Sequence, residues 1–280
     1  MIVDIFDVED GQCAIIYAPD YNRIAMIDVG HNSDPDNEWE PSTYLKSIGR
    51  TQIDYLYITN ADEDHFSHLA DLRKNGITVN VFVRNWKVSA ERIEEIKTEQ
   101  CALSNDAKEY MSMMRTYIHP VEVPFNDGMG GIKAVTFCCG GFDTTNALSM
   151  AVFLEYKGFE ILFPGDLTYE AWMELLKDPQ FVAHLKNTNV LVAAHHGRED
   201  GYCEEIFEYF SPQLVIFSDK KMMYDTQETA SKYRAKAQGA KVGEGGEMRY
   251  VLTTRNDGDI RITVGETNFK VETGQIKVVV

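Results

Sequence analysis

Residues 57–65 read YITNADEDH and place several potential metal ligands directly after an apolar run. The run from Ile53 to Thr59 is typical of a buried strand, and the apolar residues that follow His65 recur at helical spacing up to Gly76. A strand, an acidic loop and a helix are therefore predicted in that order. The acidic side chains either bind a metal with His65 or cap the helix, and for this loop alone both interpretations stay open.

Two other segments have the same form, an apolar strand followed at once by ligand-type side chains. Asp166 follows the run 161–163, and His195 and His196 follow the run 190–194. Because such loops converge at one edge of a sheet, the three segments are expected to meet. Asp166 could instead cap the next helix, whereas two imidazoles beside a glycine favour function over packing. Carboxylates and imidazoles together suit Zn²⁺, Mn²⁺ or Fe²⁺.

The rest of the chain predicts an α/β fold. The first sixty residues form a meander of strand-like runs, a hairpin is predicted at Lys157-Gly158, and strands then alternate with helices. The later predicted elements are helices at Thr168–Leu176, around Glu204–Phe210 and at about Gln227–Ala237, and two short strands joined at Asn256-Asp257-Gly258. Residues from about 88 to 118 predict a helical insertion. No domain boundary is evident, so we predict one domain over residues 1–280, with mixed sheets covered by helices.

Composition limits the function classes. The net charge of −17 and the pI near 4.8 argue against binding of long nucleic acid, which needs a basic surface. The apolar runs are too short to cross a bilayer and the N-terminus lacks the pattern of a secretory signal, so a cytoplasmic location without membrane contact is expected. The five cysteines are scattered without metal-site spacing and are expected to be reduced thiols.

The order of motifs resembles the metallo-β-lactamase superfamily, most of all its ComEC-type (competence protein) hydrolase branch. The matching segments, between about residues 2 and 264, are Phe6-Asp7-Val8-Glu9-Asp10-Gly11-Gln12, Asp28-Val29-Gly30, Asn60-x-Asp62-x-Asp64-His65, Asn146-Ala147-Leu148-Ser149, Pro164-Gly165-Asp166 and His195-His196-Gly197-Arg198. The resemblance implies a four-layer αββα sandwich with two mixed sheets and a metal site at their edge.

The resemblance also implies roles for individual residues. The implied metal ligands, for one or two Zn or Mn ions, are Asp62, Asp64, His65, Asp166 and His195. In the implied arrangement Asp64 and His65 bind one metal and Asp166 bridges two. Asp62 belongs to the other metal, with Asn146 or Asp143 as a possible neighbour. The implied catalytic residues are Asp64, His196 and Arg198, and the candidates for substrate binding are Asn60, Asn146, Ser218, Lys220 and Lys221. The sequence leaves open whether His196 contacts substrate or replaces His195 as the ligand.

Four features depart from the family pattern. Gln12 stands where the family has an acidic residue in the opening motif, and Arg198 stands where the family has serine. Asn60 stands where the family has the first histidine, and an amide is a weaker ligand than imidazole, so the second metal is expected to be weakened or absent. Tyr224-Asp225-Thr226 stand where the family usually has Gly-His-Pro.

Three functions follow as hypotheses. The first is metal-dependent hydrolysis of phosphodiesters, including short nucleic acid, because Arg198, Lys220 and Lys221 follow strands that end near the site and suit an anionic substrate. The second is hydrolysis of an ester, thioester or lactam. The third is a non-catalytic binding protein. The helices within 88–118 could also bind a protein partner.

Overall fold

A computed structural model describes residues 1–34, 38–99, 102–120, 127–221 and 228–276. Within these ranges two mixed sheets pack face to face. The nine-stranded sheet has the order β12 (Glu247–Arg249), β11 (Ala240–Val242), β15 (Phe269–Thr273), β14 (Ile260–Val264), β1 (Ile2–Ile5), β2 (Ala14–Tyr17), β3 (Ile24–Ile27), β4 (Gln52–Tyr57) and β5 (Thr78–Val83). The six-stranded sheet has the order β13 (Val251–Thr253), β10 (Leu214–Phe217), β9 (Val190–Val192), β8 (Phe159–Phe163), β7 (Met150–Tyr156) and β6 (Lys133–Cys138).

Helices cover the outer face of each sheet. Those on the nine-stranded sheet are α1 (Pro41–Ser47), α2 (Glu63–Phe66), α3 (Leu69–Lys74), α4 (Ala90–Thr98) and α5 (Asn105–Thr116). Those on the six-stranded sheet are α6 (Tyr169–Leu175), α7 (Pro179–Asn187) and α8 (Ala230–Lys236). A short helix, α9 (Thr254–Asp257), links β13 to β14 and so joins the two sheets. The predicted αββα sandwich is confirmed.

Alternation of side chains along the strands produces the layers. In β7, Val152 and Leu154 lie in the apolar layer between the sheets, whereas Phe153 packs against the helices. In β2, Ile16 lies in the inter-sheet layer and Ile15 in the layer under the other helices. Because both faces of these strands are covered, nearly continuous apolar runs are required, and those runs are what the sequence shows.

The N-terminal strand lies inside the nine-stranded sheet. It pairs antiparallel with β2 on one side and with β14 on the other. In the pairing with β14, Ile2 lies opposite Thr263. The guanidinium of Arg261 donates to both carboxylate oxygens of the buried Asp4, at 2.7 and 2.6 Å. The two charge-assisted hydrogen bonds offset the cost of removing both charges from water, and their bidentate geometry fixes the register of β1 on β14.

Most of the predicted strands and helices are confirmed, including the 157–158 hairpin and two helices in the 88–118 segment. The single helix predicted after His65 is wrong. Two short helices, α2 and α3, occur there because the His68 backbone N–H donates to the carbonyl of Val29 instead of continuing the helix.

Two later predictions also need correction. The helix expected around Glu204–Phe210 is a single 3-10 turn at Glu205–Glu208. The strands expected to join at Asn256-Asp257-Gly258 do not pair, because β13 pairs with β10 in one sheet and β14 pairs with β1 in the other. Of the helix expected at Gln227–Ala237, Gln227 lies outside the described residues, as do Tyr224-Asp225-Thr226.

None of the helices in the described ranges has the length and apolar character needed to cross a membrane. The cytoplasmic location and a protein partner at the 88–118 segment stay predictions.

Candidate metal centre

The loops after β4, β8 and β9 meet at one end of the sandwich. They bring together Asp64, His65, Asp166 and His196, which we call the metal cluster. One ligand atom from each of the four residues lies within 4.8 Å of the others, and three of the four side chains are buried. The convergence of the three predicted segments is therefore confirmed.

The spacing inside the metal cluster fits one divalent ion. His65 Nε2 lies 3.0 Å from Asp166 Oδ1 and 4.0 Å from Asp64 Oδ2. His196 Nε2 lies 3.0 Å from Asp64 Oδ2 and 3.6 Å from Asp166 Oδ1. Ligand atoms about 2.1 Å from a tetrahedral ion lie about 3.4 Å from one another. The four distances bracket that value, so a small adjustment of the side chains would accommodate Zn²⁺ or a similar ion.

The second nitrogen of each imidazole in the metal cluster is held by an acceptor. His65 Nδ1 lies 2.9 Å from Oδ2 of the buried Asp28, and His196 Nδ1 lies 2.7 Å from the carbonyl of Ser218. Asp28 also accepts hydrogen bonds from the backbone N–H and hydroxyl of Thr59, at 2.7 and 2.6 Å. With Nδ1 donating, the Nε2 lone pair of each ring points into the metal cluster, which is the arrangement a metal ligand needs.

The backbone around the histidine pair adopts an uncommon conformation. His195 and His196 have φ values of +49° and +54°, in the left-handed region that side chains other than glycine rarely occupy. Gly197 follows with φ +80°, and a Cβ there would lie 1.8 Å from an atom of the Phe217 ring. The contact with β10 therefore fixes this tight turn, and the turn directs His196 into the metal cluster.

The charges of the metal cluster favour a bound cation. Burial alone would raise the pKa of Asp64, but His65 and His196 hold that pKa well below its usual value. Burial alone would lower the pKa of His196, but Asp166 and Asp64 raise that pKa to about 9. Carboxylates that stabilise imidazolium charge in this way stabilise a metal ion in the same position, with release of the protons.

His195, which the resemblance implies as the ligand, lies beside the metal cluster rather than within its four atoms. Its Nε2 is 3.8 Å from Asp166 Oδ2, and its Nδ1 is 2.8 Å from Oδ1 of the exposed Asp200. The hydrogen bond from His195 holds the pKa of Asp200 below its usual value. The Asp200 carboxylate thus orients the His195 ring and leaves Nε2 facing the site.

The residues implied for the second metal form a hydrogen-bonded network. Asn60 Nδ2 donates to Asn146 Oδ1 at 2.8 Å, and Asn60 Oδ1 accepts from the backbone N–H of Asp62 at 3.1 Å. The Asp62 carboxylate accepts from Thr145 Oγ1 at 2.7 Å and contacts Lys97 Nζ at 3.4 Å. Asp62 occupies the N-cap position of α2, but its side chain does not cap that helix.

Lys220, a candidate for substrate binding, and Arg198, an implied catalytic residue, both lie against Asp10 on segments next to His196 and Ser218. Lys220 Nζ is 2.6 Å from Asp10 Oδ2, and Arg198 Nη2 is 3.9 Å from Asp10 Oδ1. We call Arg198 and Lys220 the rim cations. Lys221 is exposed, whereas Ser218 is buried, holds His196 through its carbonyl and donates its hydroxyl to the carbonyl of Gly11. Ser218 therefore positions a ligand, and its hydroxyl does not face the solvent.

Sequence reasoning gave no role to three residues that contribute to the site. Asp28 lies in a segment that carried the resemblance, so its buried position after a strand was an available signal. Asp200 follows the histidine pair closely, but an acidic residue in a polar loop is unremarkable by itself. Lys97 belongs to α4, and no local pattern connects it with the Asp62 loop 35 residues earlier.

The chain is similar to known proteins in sequence and in fold. A family model described as the Metallo-beta-lactamase superfamily matches residues 8–202. ComE operon protein 3 of Bacillus subtilis (strain 168) is 22% identical over 237 residues, which cover 78% of this chain. The matched region is 28% of that protein, so this chain spans less than a third of its relative's length.

Solved structures of similar fold include Igni18, a metallo hydrolase from Ignicoccus hospitalis, with a TM-score of 0.50 and 12% identity over 95% of this chain and 100% of that chain. The metallo-beta-lactamase fold protein YhfI from Bacillus subtilis gives a TM-score of 0.51 and 8% identity over 92% of this chain and 98% of that chain. At such identities the likeness concerns the fold alone.

Proposed function

This chain belongs to the metallo-beta-lactamase superfamily, and on that premise we propose that it is a metal-dependent hydrolase of small phosphodiesters. The observation that carries the proposal is the metal cluster, because its two carboxylates and two imidazoles fit one divalent ion such as Zn²⁺ or Mn²⁺. An ion held there supplies Lewis acidity, by polarising the scissile group and acidifying a water. The residues around the metal cluster then orient the substrate and move protons.

We assign ligand binding to His196 and proton transfer to His195, which exchanges the roles implied by the resemblance. The ring of His196 is buried and its Nε2 faces two carboxylates. The ring of His195 is half-buried, faces the site with Nε2 and is oriented by Asp200 through Nδ1. A histidine oriented by a carboxylate at the edge of a site suits general acid–base catalysis. Asp64 contributes as a ligand of the metal cluster.

The rim cations support an anionic substrate. Arg198 follows the histidine pair by two residues, and Lys220 follows Ser218, whose carbonyl holds His196. The Arg198 side chain is one-third exposed and its Nη2 lies at the edge of contact distance from Asp10, so the accessible part of the guanidinium can bind a phosphate oxygen. Two cations on a chain of net charge −17 suit a nucleotide or a short single strand better than a long duplex.

The test combines metal analysis with a generic substrate. Purified protein is analysed for Zn and Mn, and hydrolysis of bis(p-nitrophenyl) phosphate is measured for the parent, for Asp64→Asn and for Asp143→Asn. Asp143 is the matched control because its carboxylate is 90% exposed and contacts Arg92 rather than the metal cluster. We expect metal and activity in the parent and the control, and a loss of both in Asp64→Asn. Absence of bound metal from the parent would refute the proposal.

The alternatives give different results in the same experiment. Turnover of p-nitrophenyl acetate without turnover of the phosphodiester would indicate the ester, thioester or lactam hydrolase. Bound metal with hydrolysis of neither substrate would indicate a non-catalytic binding protein. The hydrogen-bonded network around Asn60 argues against an ordinary two-metal enzyme, and the two substrates decide whether the protein is catalytic.

A further inference from the structure

We infer that the ammonium group of Lys97 neutralises Asp62 in place of a second metal ion, so that this chain holds one ion at a site where a two-metal hydrolase would hold two. The inference rests on the proposed function, since it specifies how many ions that site binds. It concerns α4, part of the helical insertion for which the sequence suggested a protein partner.

The donor atoms at the second position already have partners within the protein. Both side-chain atoms of Asn60 are used, by Asn146 and by the backbone N–H of Asp62. One oxygen of Asp62 accepts from Thr145 and the other faces Lys97. A second ion would have to break these hydrogen bonds and replace them with an amide ligand, which transition metals bind weakly.

Lys97 is built into the site rather than resting on the surface. Only 8% of the residue is exposed, although lysine is seldom buried without a partner. Its Nζ donates to the carbonyl of Ala61 at 2.7 Å, lies 3.4 Å from Asp62 Oδ1 and is 5.3 Å from the centre of the Phe66 ring. These contacts hold a positive charge between Asp62 and the start of α2.

The negative charge at the second position is already matched within the protein. The carboxylates of Asp64 and Asp166, with Asp28 behind the ring of His65, are the charges that an ion in the metal cluster would meet. The carboxylate of Asp62 is matched by Lys97. A second divalent ion beside Asp62 would be repelled by the lysine ammonium, because like charges in a partly buried site are poorly screened.

The decisive experiment counts ions in variants that change one feature at a time. Zn²⁺ binding is measured by calorimetric titration and by elemental analysis after equilibrium dialysis against a fixed free Zn²⁺ concentration. The proteins are the parent, Asn60→His and the double variant Asn60→His with Lys97→Gln. Glutamine removes the charge and retains an N–H donor on a side chain one atom shorter. A double variant with Lys97→Arg retains the charge, and Lys108→Gln combined with Asn60→His controls for loss of an exposed lysine.

We expect one ion in the parent, one in Asn60→His and two in the double variant with Lys97→Gln. The Lys97→Arg and Lys108→Gln combinations are expected to hold one. Two ions in the parent or in Asn60→His, or no gain of an ion when Lys97 becomes glutamine, would overturn the inference. Circular dichroism checks that each variant is folded, and Lys97→Met, of similar length, is measured if the glutamine variant does not fold.

Failure of the proposed function gives a different result. A parent without any bound ion refutes the metal cluster, whereas the inference about Lys97 is judged by the difference between Asn60→His and its Lys97→Gln derivative.

Discussion

Substitution of Gly197 by alanine should destabilise the protein and weaken metal binding together. Gly197 has a φ of +80°, a conformation that costs a residue with a Cβ about 1–2 kcal/mol. An added Cβ would lie 1.8 and 2.0 Å from two carbons of the Phe217 ring, and such overpacking costs about 1–3 kcal/mol. The sum is a loss of about 2–5 kcal/mol in the free energy of unfolding.

Gly49 provides the matched control. Its φ is +71°, but a Cβ there would meet no atom within 4 Å. Gly49→Ala should therefore cost only the backbone contribution of about 1–2 kcal/mol. The difference between the two variants, measured by urea unfolding of the metal-free proteins, isolates the contact with Phe217.

The same substitution should also weaken metal binding, because the turn at Gly197 places His196 in the metal cluster. Relief of the clash by rotation of the turn would move His196 Nε2 from its 3.0 Å contact with Asp64, and Zn²⁺ affinity should fall about 10–100-fold. Phe217→Leu should cost less stability in the Gly197→Ala background than in the parent. A Gly197→Ala variant as stable as Gly49→Ala, with unchanged Zn²⁺ affinity, would refute the reasoning.

Three further predictions concern the site. Asp28→Asn should lower Zn²⁺ affinity about 10–100-fold in a competition titration with a chelating dye, because the ring of one ligand loses its charged acceptor; unchanged affinity would contradict this. His195→Gln should keep the ion while phosphodiester hydrolysis falls about 10²–10⁴-fold, whereas His196→Gln should lose the ion; the reverse pattern would restore His195 as the ligand. Asp10→Asn should remove the carboxylate that pairs with the rim cations and lower KM for an anionic phosphodiester about 2–5-fold at low salt. The decrease in KM should be smaller in 0.5 M NaCl. A higher KM would indicate instead that Asp10 positions the rim cations.

The general position of the site could be predicted from the sequence because strand and loop signals are local. Apolar runs end just before His65, Asp166 and the histidine pair, and strands buried on both faces must be apolar along their whole length. The carboxyl ends of such strands are the places where ligand side chains can converge. These local facts were sufficient to bring the three loops to one edge.

The choice between His195 and His196 could not be predicted, because it depends on contacts distant in the chain. The left-handed backbone of both residues changes the directions in which their side chains point from those expected in a strand. The ring of Phe217 fixes the turn at Gly197. The partners of the two rings, Asp200 and the carbonyl of Ser218, lie on different segments. Likewise, no periodicity distinguishes a lysine on an amphipathic helix that faces solvent from one that, like Lys97, faces a carboxylate.

The position of β1 inside the nine-stranded sheet has a consequence for how the chain acquires its structure. The partner of β1 on one side is β14, about 260 residues later, and the pairing closes with the contact of Arg261 on Asp4. During synthesis β1 can pair with β2 at once, but its other edge stays open until β14 has emerged. An open apolar edge invites pairing with another molecule. All four residues of the metal cluster are synthesised before β14, so early metal binding would stabilise their loops while the edge of β1 is still exposed. A chain truncated before Ile260 should therefore aggregate even though it retains every residue of the metal cluster.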